Sequence, residues 1–533
     1  MTTPAPVHPG EIRDVTVVLH VRDHARTLGA CLDSLLGQSI GTDRIELIAV
    51  DDGSTDESGS VLAEAQRRHP HLLRTGRLPR GLSTSEARNW GMSQATARYV
   101  LFLTGADRLT PTALERMVAS ADTNESDVVL GKLESSGKHA VATSMFRRTQ
   151  ASADLYGSKV YWSLTPDKLF RTSLLRRRGL AFPADMSFGE DQAFTAAAYI
   201  GADNISVVAD EPCVVKGPSS AGPVALAQRV ELAARMTALV CSLVPPGPRQ
   251  NLLISRHLET ELGKATGALL LASDNHAERE RALWAAAEFL RQVPPGASAL
   301  LPRPLAVRLA LIAAGRHAEA QQMAAYEADK NNPVPKKTVE NGRVYTTLPF
   351  FRDPSVGLPD ELFDITDKMT VNQELTSLKW SGPILLLDGH AFFEQLTTRE
   401  RATKVVLRHR PTGAEERFSV TARRDETLMN SKGKPRAMGR FSTRINLRQM
   451  SDGWPLLPGV WDVFLAVSFE GVTQEVRLGR RRAPEVDVVS RMPMVFAPSA
   501  TTAGHELAAT PFYTEEGDLS LEISERLPLP GAR

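Results

Sequence analysis

The sequence predicts an α/β domain with a mostly parallel sheet, a helical segment and a C-terminal antiparallel β-sandwich. Strand and helix patterns alternate between residues 15 and 218, which favours a parallel sheet with helices on both faces. Residues 219–332 are rich in Ala, Leu, Arg and Glu and are broken at proline clusters, so we expect about four or five helices. Residues 333–533 begin as a linker and continue as short strand-like runs between turn residues. A polar, Pro-rich lead, residues 1–14, is expected to be flexible.

The composition is that of a globular protein and excludes several classes of function. The 533 residues are 42% apolar and 23% charged, which are ordinary globular values. A net charge of +1 gives no electrostatic footprint for nucleic acid, so we expect no nucleic-acid partner. The three cysteines are widely spaced in apolar contexts, which argues against a disulfide framework or a zinc site.

The sequence also leads to expectations about where in the cell the protein is found. The first residues lack the basic and apolar regions of a signal peptide. No run of about eighteen apolar residues is available to span a bilayer. We therefore expect a cytoplasmic protein. Peripheral association with the inner face of the cell membrane and assembly into a homo-oligomer both stay open.

The most informative stretch is Asp51-Asp52-Gly53-Ser54, which directly follows the aliphatic run 46–50. Ligands of open α/β sheets bind in the crevice outside the carboxyl ends of the strands. Carboxylates there can accept hydrogen bonds from a base N–H or from ribose hydroxyls. The alternative is a turn whose Asp and Ser only cap the following helix. Because a cap needs one such residue, the cluster favours a ligand site.

Four further segments accompany that stretch in a fixed order. They are a buried strand, a helix end stopped by glycine, an Ala-Arg-Asn-Trp-Gly element and another strand, at residues 15–19, 31–39, 87–91 and 99–103. Together the five segments resemble the nucleotide-sugar-binding domain of family 2 glycosyltransferases, which has the GT-A fold. The match runs from about residue 15 to residue 208. The resemblance implies an inverting transfer of a sugar from a nucleotide-sugar donor, UDP-linked by preference, to an acceptor hydroxyl.

The resemblance also implies roles for individual residues. Asp51, Asp52 and Ser54 match the part of the family site that grips the nucleoside. Arg88 and Asn89 match the element beside the nucleotide. For Arg88 the alternative is a salt bridge on a helix surface.

A second group of candidates concerns the acceptor. Asp191 stands at the family's general-base position, and a carboxylate can take the proton of an acceptor hydroxyl. Glu190 beside it is expected to orient the site or the acceptor. The alternative for both is capping, because carboxylates favour helix starts. Lys168 either contacts phosphate or forms a structural ion pair, and the sequence does not decide between them.

The metal-binding motif of the family is incomplete in this chain. Where the family has an Asp-x-Asp cluster, the sequence reads Thr104-Gly105-Ala106-Asp107, so only Asp107 remains as a ligand. Mg²⁺ is usually held by one or two carboxylates plus substrate phosphates. We therefore expect a weak Mg²⁺ or Mn²⁺ site at Asp107. Arg22 is a conjectural second source of positive charge near the diphosphate.

The C-terminal region resembles the β-rich accessory domains of wall-teichoic-acid glycosyltransferases and related polymer enzymes, on the fragments around Trp380 and Trp461. Core packing is the favoured interpretation of these two tryptophans over sugar stacking. The resemblance implies a cell-envelope glycan or a polyol-phosphate polymer as acceptor. Two classes of function stay open: an active glycosyltransferase, and a catalytically weakened scaffold that binds a sugar nucleotide or glycan.

Overall fold

The computed structural model describes residues 13–79, 83–137, 141, 143–218, 224–272, 276–396, 402–448, 456–484, 486, 493–497 and 506–526. The predicted flexible lead therefore lies almost wholly outside the described residues. The chain forms two compact units, residues 1–330 and 331–533. The boundaries predicted after residues 14, 218 and 332 stay predictions.

The first unit is built around a mostly parallel sheet, as predicted. Its seven strands follow the order β3-β2-β1-β4-β8-β6-β9, and β8 alone runs antiparallel to its neighbours. A small sheet of β5, β10 and β7 lies in the same unit. The strands are β1 (Val15–Val21), β2 (Ile45–Asp52), β3 (Leu73–Leu78), β4 (Tyr99–Thr104), β5 (Arg108–Leu109), β6 (Val128–Gly131), β7 (Leu133–Ser135), β8 (Leu169–Arg171), β9 (Ile205–Val208) and β10 (Val214–Lys216).

The central strands are apolar because they are covered on both faces. Every residue of β1 and β2 is buried, as is typical of parallel strands with helices on both sides. The helices of this layer are α1 (Ala25–Leu36), α2 (Ser58–Arg68), α3 (Thr84–Ser93), α4 (Ala113–Thr123), α5 (Thr172–Arg177) and α6 (Glu190–Gly201). The polar ends of β1 and β2 therefore stand out against an apolar sheet.

The predicted helical segment follows within the same unit. Its helices are α7 (Leu226–Leu243), α8 (Pro248–His257), α9 (Lys264–Leu271), α10 (His276–Gln292), α11 (Pro295–Ala299), α12 (Arg303–Ala313) and α13 (His317–Ala328), with a π-helical stretch Leu258–Gly263 between α8 and α9. This segment contacts the α/β domain at Glu261 of the π-helical stretch, a buried residue that accepts a hydrogen bond from Gln192 of α6 at 3.2 Å. Within the segment, Arg229 of α7 donates to the same carboxylate at 3.0 Å.

The second unit consists of antiparallel sheets over one apolar core, which confirms the predicted C-terminal architecture. One sheet has the order β13-β14-β18-β17, and the other β16-β15-β19-β23-β22-β21 with β20 paired to β19. A hairpin of β11 and β12 precedes them. The strands are β11 (Lys337–Glu340), β12 (Arg343–Thr346), β13 (Val371–Ser381), β14 (Ile384–Phe393), β15 (Ala402–His409), β16 (Glu415–Ser419), β17 (Thr421–Arg423), β18 (Arg440–Asn446), β19 (Gly459–Phe469), β20 (Val472–Arg477), β21 (Met494–Phe496), β22 (Glu506–Tyr513) and β23 (Leu519–Arg526).

Trp380 and Trp461, the two tryptophans considered above, pack in the core of the second unit. Trp461 is 3% exposed, and its indole N–H donates to the Leu457 carbonyl at 2.8 Å. Trp380 packs against the same cluster and is partly buried. Among the described residues, no helix has the length and apolar character that crossing a membrane requires.

Candidate active site

The carboxyl ends of three neighbouring strands bring the predicted residues to one edge of the sheet. Val21 of β1 is opposite Asp51 of β2, and His20 is opposite Thr104 of β4. The Gly105 N–H donates to the His20 carbonyl at 2.9 Å, which holds the turn after β4 against the end of β1. Parallel strands that end together leave a crevice beyond their last residues, and ligands bind in such crevices.

Asp52 is a buried carboxylate with one incompletely used oxygen. Its Oδ2 lies 3.2 Å from Nε2 of His20 and 3.4 Å from Nη1 of Arg22. Within the described part of the chain, its Oδ1 is buried and has no hydrogen-bond partner. A buried charge is costly unless it is paired and hydrogen-bonded. An oxygen in this state at a strand end is suited to a ligand that donates a hydrogen bond.

Asp51 repeats this pattern beside it. Its Oδ1 accepts the Ser54 N–H at 2.9 Å. Its Oδ2 lies 3.5 Å from Nε of Arg77 and, among the described residues, makes no hydrogen bond. Ser54 holds the neighbouring loop, because its hydroxyl accepts the Asp23 N–H at 3.1 Å. Gly53 has a φ of 64°, a left-handed backbone conformation that favours glycine and turns the chain at the end of β2.

The predicted base lies in the first turn of α6. Gly189, with φ 82°, precedes the helix in a left-handed conformation. A Cβ at Gly189 would stand 2.3 Å from Cδ1 of Leu232, so the close approach of α7 also requires glycine. Asp191 and Glu190 follow directly, and their side chains are 30% and 17% exposed. Burial, and then the charge of Asp191, raise the pKa of Glu190 above its usual value.

Arg88 holds this carboxylate pair. Its guanidinium hydrogen-bonds Oδ1 of Asp191 and lies 3.4 Å from Oε1 of Glu190. The Arg88 side chain is only 7% exposed and lies over the ring of Phe182, 5.2 Å from its centroid. Sequence reasoning expected Arg88 beside the nucleotide, whereas the structure pairs it with the candidate base.

Asn89 has its side-chain amide engaged by the backbone. Its Nδ2 donates to the Phe182 carbonyl at 2.7 Å, and its Oδ1 accepts the Phe182 N–H at 2.8 Å. These bonds tie α3 to the segment that leads to α6. In this arrangement Asn89 positions the base helix, and the predicted contact with the nucleotide stays a prediction.

Lys168 is buried in a polar cluster. Its ammonium donates to the Thr165 carbonyl at 2.5 Å and lies 3.5 Å from Oδ1 of Asp167. Burial lowers the pKa of Lys168, Asp167 opposes that effect, and Lys216 and Asp191 make smaller contributions of opposite sign. Of the two alternatives left open by the sequence, the structure shows the ion pair.

Asp107, the predicted metal ligand, is fully engaged by protein groups. Its Oδ1 accepts the Gly217 N–H at 2.9 Å. Its Oδ2 accepts the Thr104 hydroxyl at 2.9 Å and the Lys216 ammonium at 2.6 Å. Nowhere in the described ranges do three or more His, Cys, Asp or Glu side chains gather in a group that could hold a metal ion.

Sequence reasoning missed three of the charged groups at this edge. Lys216 lies 109 residues after its partner Asp107, and Arg77 reaches Asp51 from β3. Asp167 was seen only as the neighbour of Lys168. The available signal was positional: Lys216 ends β10 and Arg77 lies near the end of β3, where polar side chains face the crevice.

Comparisons with known proteins bear on each region of the chain. The family model for glycosyl transferase family 2 matches residues 15–181. The model for the TarS glycosyl transferase linker domain matches residues 229–324, and the model for the TarS beta-glycosyltransferase C-terminal domain 1 matches residues 364–523. The three matches follow the order of the α/β domain, the helical segment and the β-rich unit.

Two curated relatives illustrate the range of similarity. A poly(ribitol-phosphate) beta-glucosyltransferase of Bacillus spizizenii is 26% identical over 88% of this chain and 72% of its own. The poly(ribitol-phosphate) beta-N-acetylglucosaminyltransferase TarS of Staphylococcus aureus is 30% identical over 37% of this chain and 34% of its own. The S. aureus TarS crystal structure matches 97% of this chain and 86% of its own with a TM-score of 0.57 at 20% identity, which shows a shared fold.

Proposed function

We infer that the chain is a family 2 glycosyltransferase with a TarS-like linker domain and C-terminal domain 1 after its α/β domain, because the three family models match it in that order. From this premise we propose that it transfers a hexose or an N-acetylhexosamine from a UDP-sugar to a poly(ribitol-phosphate)-like polymer, with inversion at the anomeric carbon. The similarity to two poly(ribitol-phosphate) glycosyltransferases supports the polymer acceptor. The names of those two relatives give different sugars, glucose and N-acetylglucosamine. A donor assay must therefore identify the sugar that this chain transfers.

The observation that carries the proposal is a pair of buried carboxylate oxygens at the end of β2 that make no hydrogen bond among the described residues. Within the described residues, Oδ2 of Asp51 and Oδ1 of Asp52 are buried without hydrogen-bond donors. A nucleoside offers the donors that these oxygens lack, through its base N–H and its ribose hydroxyls. Charge-assisted hydrogen bonds of this kind are shorter and stronger than neutral ones. Ser54 supports this site indirectly, because its hydroxyl holds the neighbouring loop at Asp23.

Asp191 acts as the general base of the proposed transfer. The acceptor oxygen attacks the anomeric carbon as its proton passes to Asp191, and the bond to the diphosphate breaks with its electron pair on the phosphate oxygen. Arg88 contacts Oδ1 and thereby fixes the carboxylate, while the side chain stays 30% exposed and within reach of an acceptor. Glu190, with its raised pKa, is suited to hydrogen-bond the acceptor and orient it.

The predicted Mg²⁺ or Mn²⁺ at Asp107 does not fit the donor set around that residue. Both carboxylate oxygens of Asp107 already accept hydrogen bonds from Lys216, Thr104 and the Gly217 N–H. These bonds use three of the roughly four lone-pair sites of the carboxylate, and the Lys216 ammonium repels a second cation at Oδ2. No step of the transfer is therefore assigned to a metal here. The expected cytoplasmic location, peripheral membrane association and homo-oligomer stay predictions.

A transfer assay with two variants tests the proposal. We expect the parent to release UDP from UDP-glucose or UDP-N-acetylglucosamine when poly(ribitol phosphate) is present. Asp191→Asn keeps the shape but lacks the basic oxygen, so transfer falls about 10²–10⁴-fold with little change in UDP affinity. Asp52→Asn weakens UDP binding by about 1.5–3 kcal/mol, the scale of a charged hydrogen bond.

A matched control is Asp43→Asn, which changes an exposed aspartate on the same domain. It is expected to behave like the parent in both measurements. Transfer by Asp191→Asn within a few-fold of the parent would refute the role of the base. UDP affinity unchanged in a folded Asp52→Asn variant would remove β2 from the donor site.

A further inference from the structure

Lys216 occupies the place beside Asp107 where the family motif would require a cation. Its Nζ lies 2.6 Å from Oδ2 of Asp107 and 3.1 Å from Oδ2 of Asp167. The side chains of both aspartates are 3% exposed, whereas the Lys216 side chain is 26% exposed. The ammonium thus contacts two buried carboxylates, while the Lys216 side chain stays partly exposed.

The backbone fixes Lys216 in this position. The Gly217 N–H donates to Oδ1 of Asp107, so consecutive residues hold both oxygens of one carboxylate. A Cβ at Gly217 would stand 2.0 Å from the Ala106 carbonyl oxygen, which means that the two segments approach as closely as glycine allows. The ammonium is therefore held in place before any ligand arrives.

The same cluster lies beside the candidate base and the donor crevice. Lys216 and Asp191 both contribute to the pKa of Lys168, although burial and Asp167 have larger effects. Thr104, which donates to Asp107, is opposite His20, and His20 contacts Asp52. The cation, the base and the nucleoside carboxylates therefore share one edge of the sheet.

A divalent ion and Lys216 are alternatives at this position. A metal bound to Oδ2 of Asp107 would lie next to an ammonium that is hydrogen-bonded to the same oxygen, and two such cations repel each other. Thr104 and Ala106 add no carboxylate to outweigh this repulsion. Metal binding would require Lys216 to leave two buried carboxylates, which are costly to strand without a partner.

We propose that Lys216 replaces the divalent cation as the positive charge that binds the donor diphosphate, so that donor binding is independent of metal. This inference rests on the proposed function. In the transfer, the Lys216 ammonium donates an N–H to the phosphate oxygen that receives the electron pair of the breaking bond. The ammonium keeps its proton, and the proton of the acceptor hydroxyl goes to Asp191, so charge and atoms balance. Such a preformed cation acts by electrostatic stabilisation of the leaving group.

UDP titration calorimetry on the full chain tests this inference. The parent is expected to bind UDP with the same affinity, within about twofold, in chelator and in Mn²⁺. Lys216→Met should weaken UDP binding in chelator about 10- to 100-fold, the range expected for a lost charged hydrogen bond. Lys264→Met removes an exposed lysine of α9 and should bind UDP like the parent. Lys216→Arg keeps the charge and should retain most of the affinity.

The parent comparison needs no variant, so the inference remains testable even if Lys216→Met does not fold. A parent affinity that rises tenfold or more on adding Mn²⁺ would overturn it. An unchanged UDP affinity of folded Lys216→Met in chelator would also overturn it. Failure of the parent to bind UDP both in chelator and in Mn²⁺ would overturn the proposed function itself, together with this inference.

Discussion

At the scale of single residues, the site depends on charged groups whose partners are incomplete or unusual. Asp51 and Asp52 each keep one buried oxygen without a hydrogen-bond donor among the described residues. Asp167 also has a buried oxygen, Oδ2, without a hydrogen bond among the described residues, but this carboxylate forms ion pairs with two ammonium groups, those of Lys168 and Lys216. Asp51 and Asp52 can still accept hydrogen bonds from a ligand, whereas Asp167 holds the ammonium groups of Lys168 and Lys216 in place. The two kinds of carboxylate should therefore respond differently to substitution.

Asp167→Asn is expected to destabilise the protein by about 3–5 kcal/mol at pH 7, because it leaves buried ammonium groups without their partner. Although burial alone would raise it, Lys216 and Lys168 together hold the pKa of Asp167 well below its usual value. A carboxyl with a depressed folded-state pKa contributes stability above its unfolded pKa and loses that contribution as the pH falls towards the folded value.

The difference between parent and Asp167→Asn should accordingly be constant near neutrality and shrink below about pH 4, the unfolded value of an aspartate. Urea unfolding at pH 7 and at pH 3.5 measures it. Asp203→Asn is a suitable control, since the Asp203 side chain is 83% exposed. A difference that grows as the pH falls would contradict this account of the cluster.

At the scale of elements, the geometry of α6 decides where the base stands. The helix begins after Gly189, whose left-handed backbone and contact with Leu232 both exclude a side chain. Arg88 and Asn89 of α3 then fix the helix start and the approach segment through Asp191 and Phe182. The π-helical stretch reaches the same helix through Glu261 and Gln192. Three separate elements thus hold the helix turn that carries the proposed base.

Gly189→Ala should lower the free energy of unfolding by about 2–4 kcal/mol, because it combines a positive φ with overpacking against Leu232. Gly179→Ala is a matched control. It has a similar positive φ of 58° but meets no atom within 4 Å, so it reports the backbone cost alone. Thermal or urea unfolding of both variants gives the two values. Equal destabilisation by the two substitutions would show that α7 yields at this contact.

At the scale of the whole molecule, the candidate site belongs entirely to the first compact unit. Its contributors run from His20 to Glu261, whereas the second unit has its own apolar core drawn from residues 344–523. A unit with a separate core can fold alone in principle. We therefore predict that the proposed donor site works without the β-rich unit.

Residues 1–330 expressed alone are expected to unfold cooperatively and to bind UDP with the affinity of the full chain, within about threefold. Residues 331–533 expressed alone should also fold but should not bind UDP. Circular dichroism melts and calorimetry on both pieces provide the measurement, with the full chain as the reference. A first piece that folds but binds UDP ten times more weakly would show that the second unit contributes to the donor site.

The sequence by itself determined the fold class, the order of the three regions and the strand-end position of the main acidic residues. These depend on local hydrophobic patterns and on short motifs, which are written in consecutive residues. Only the tertiary structure decided the partners: Arg88 with Asp191, Asn89 with the Phe182 backbone, and Lys216 with Asp107 across 109 residues. The physical reason is that a charge interacts with whatever the fold brings within a few ångströms. The incomplete Asp-x-Asp motif can be read from the sequence. Its pairing with Lys216 depends on the fold, because the fold places the end of β10 next to the turn after β4.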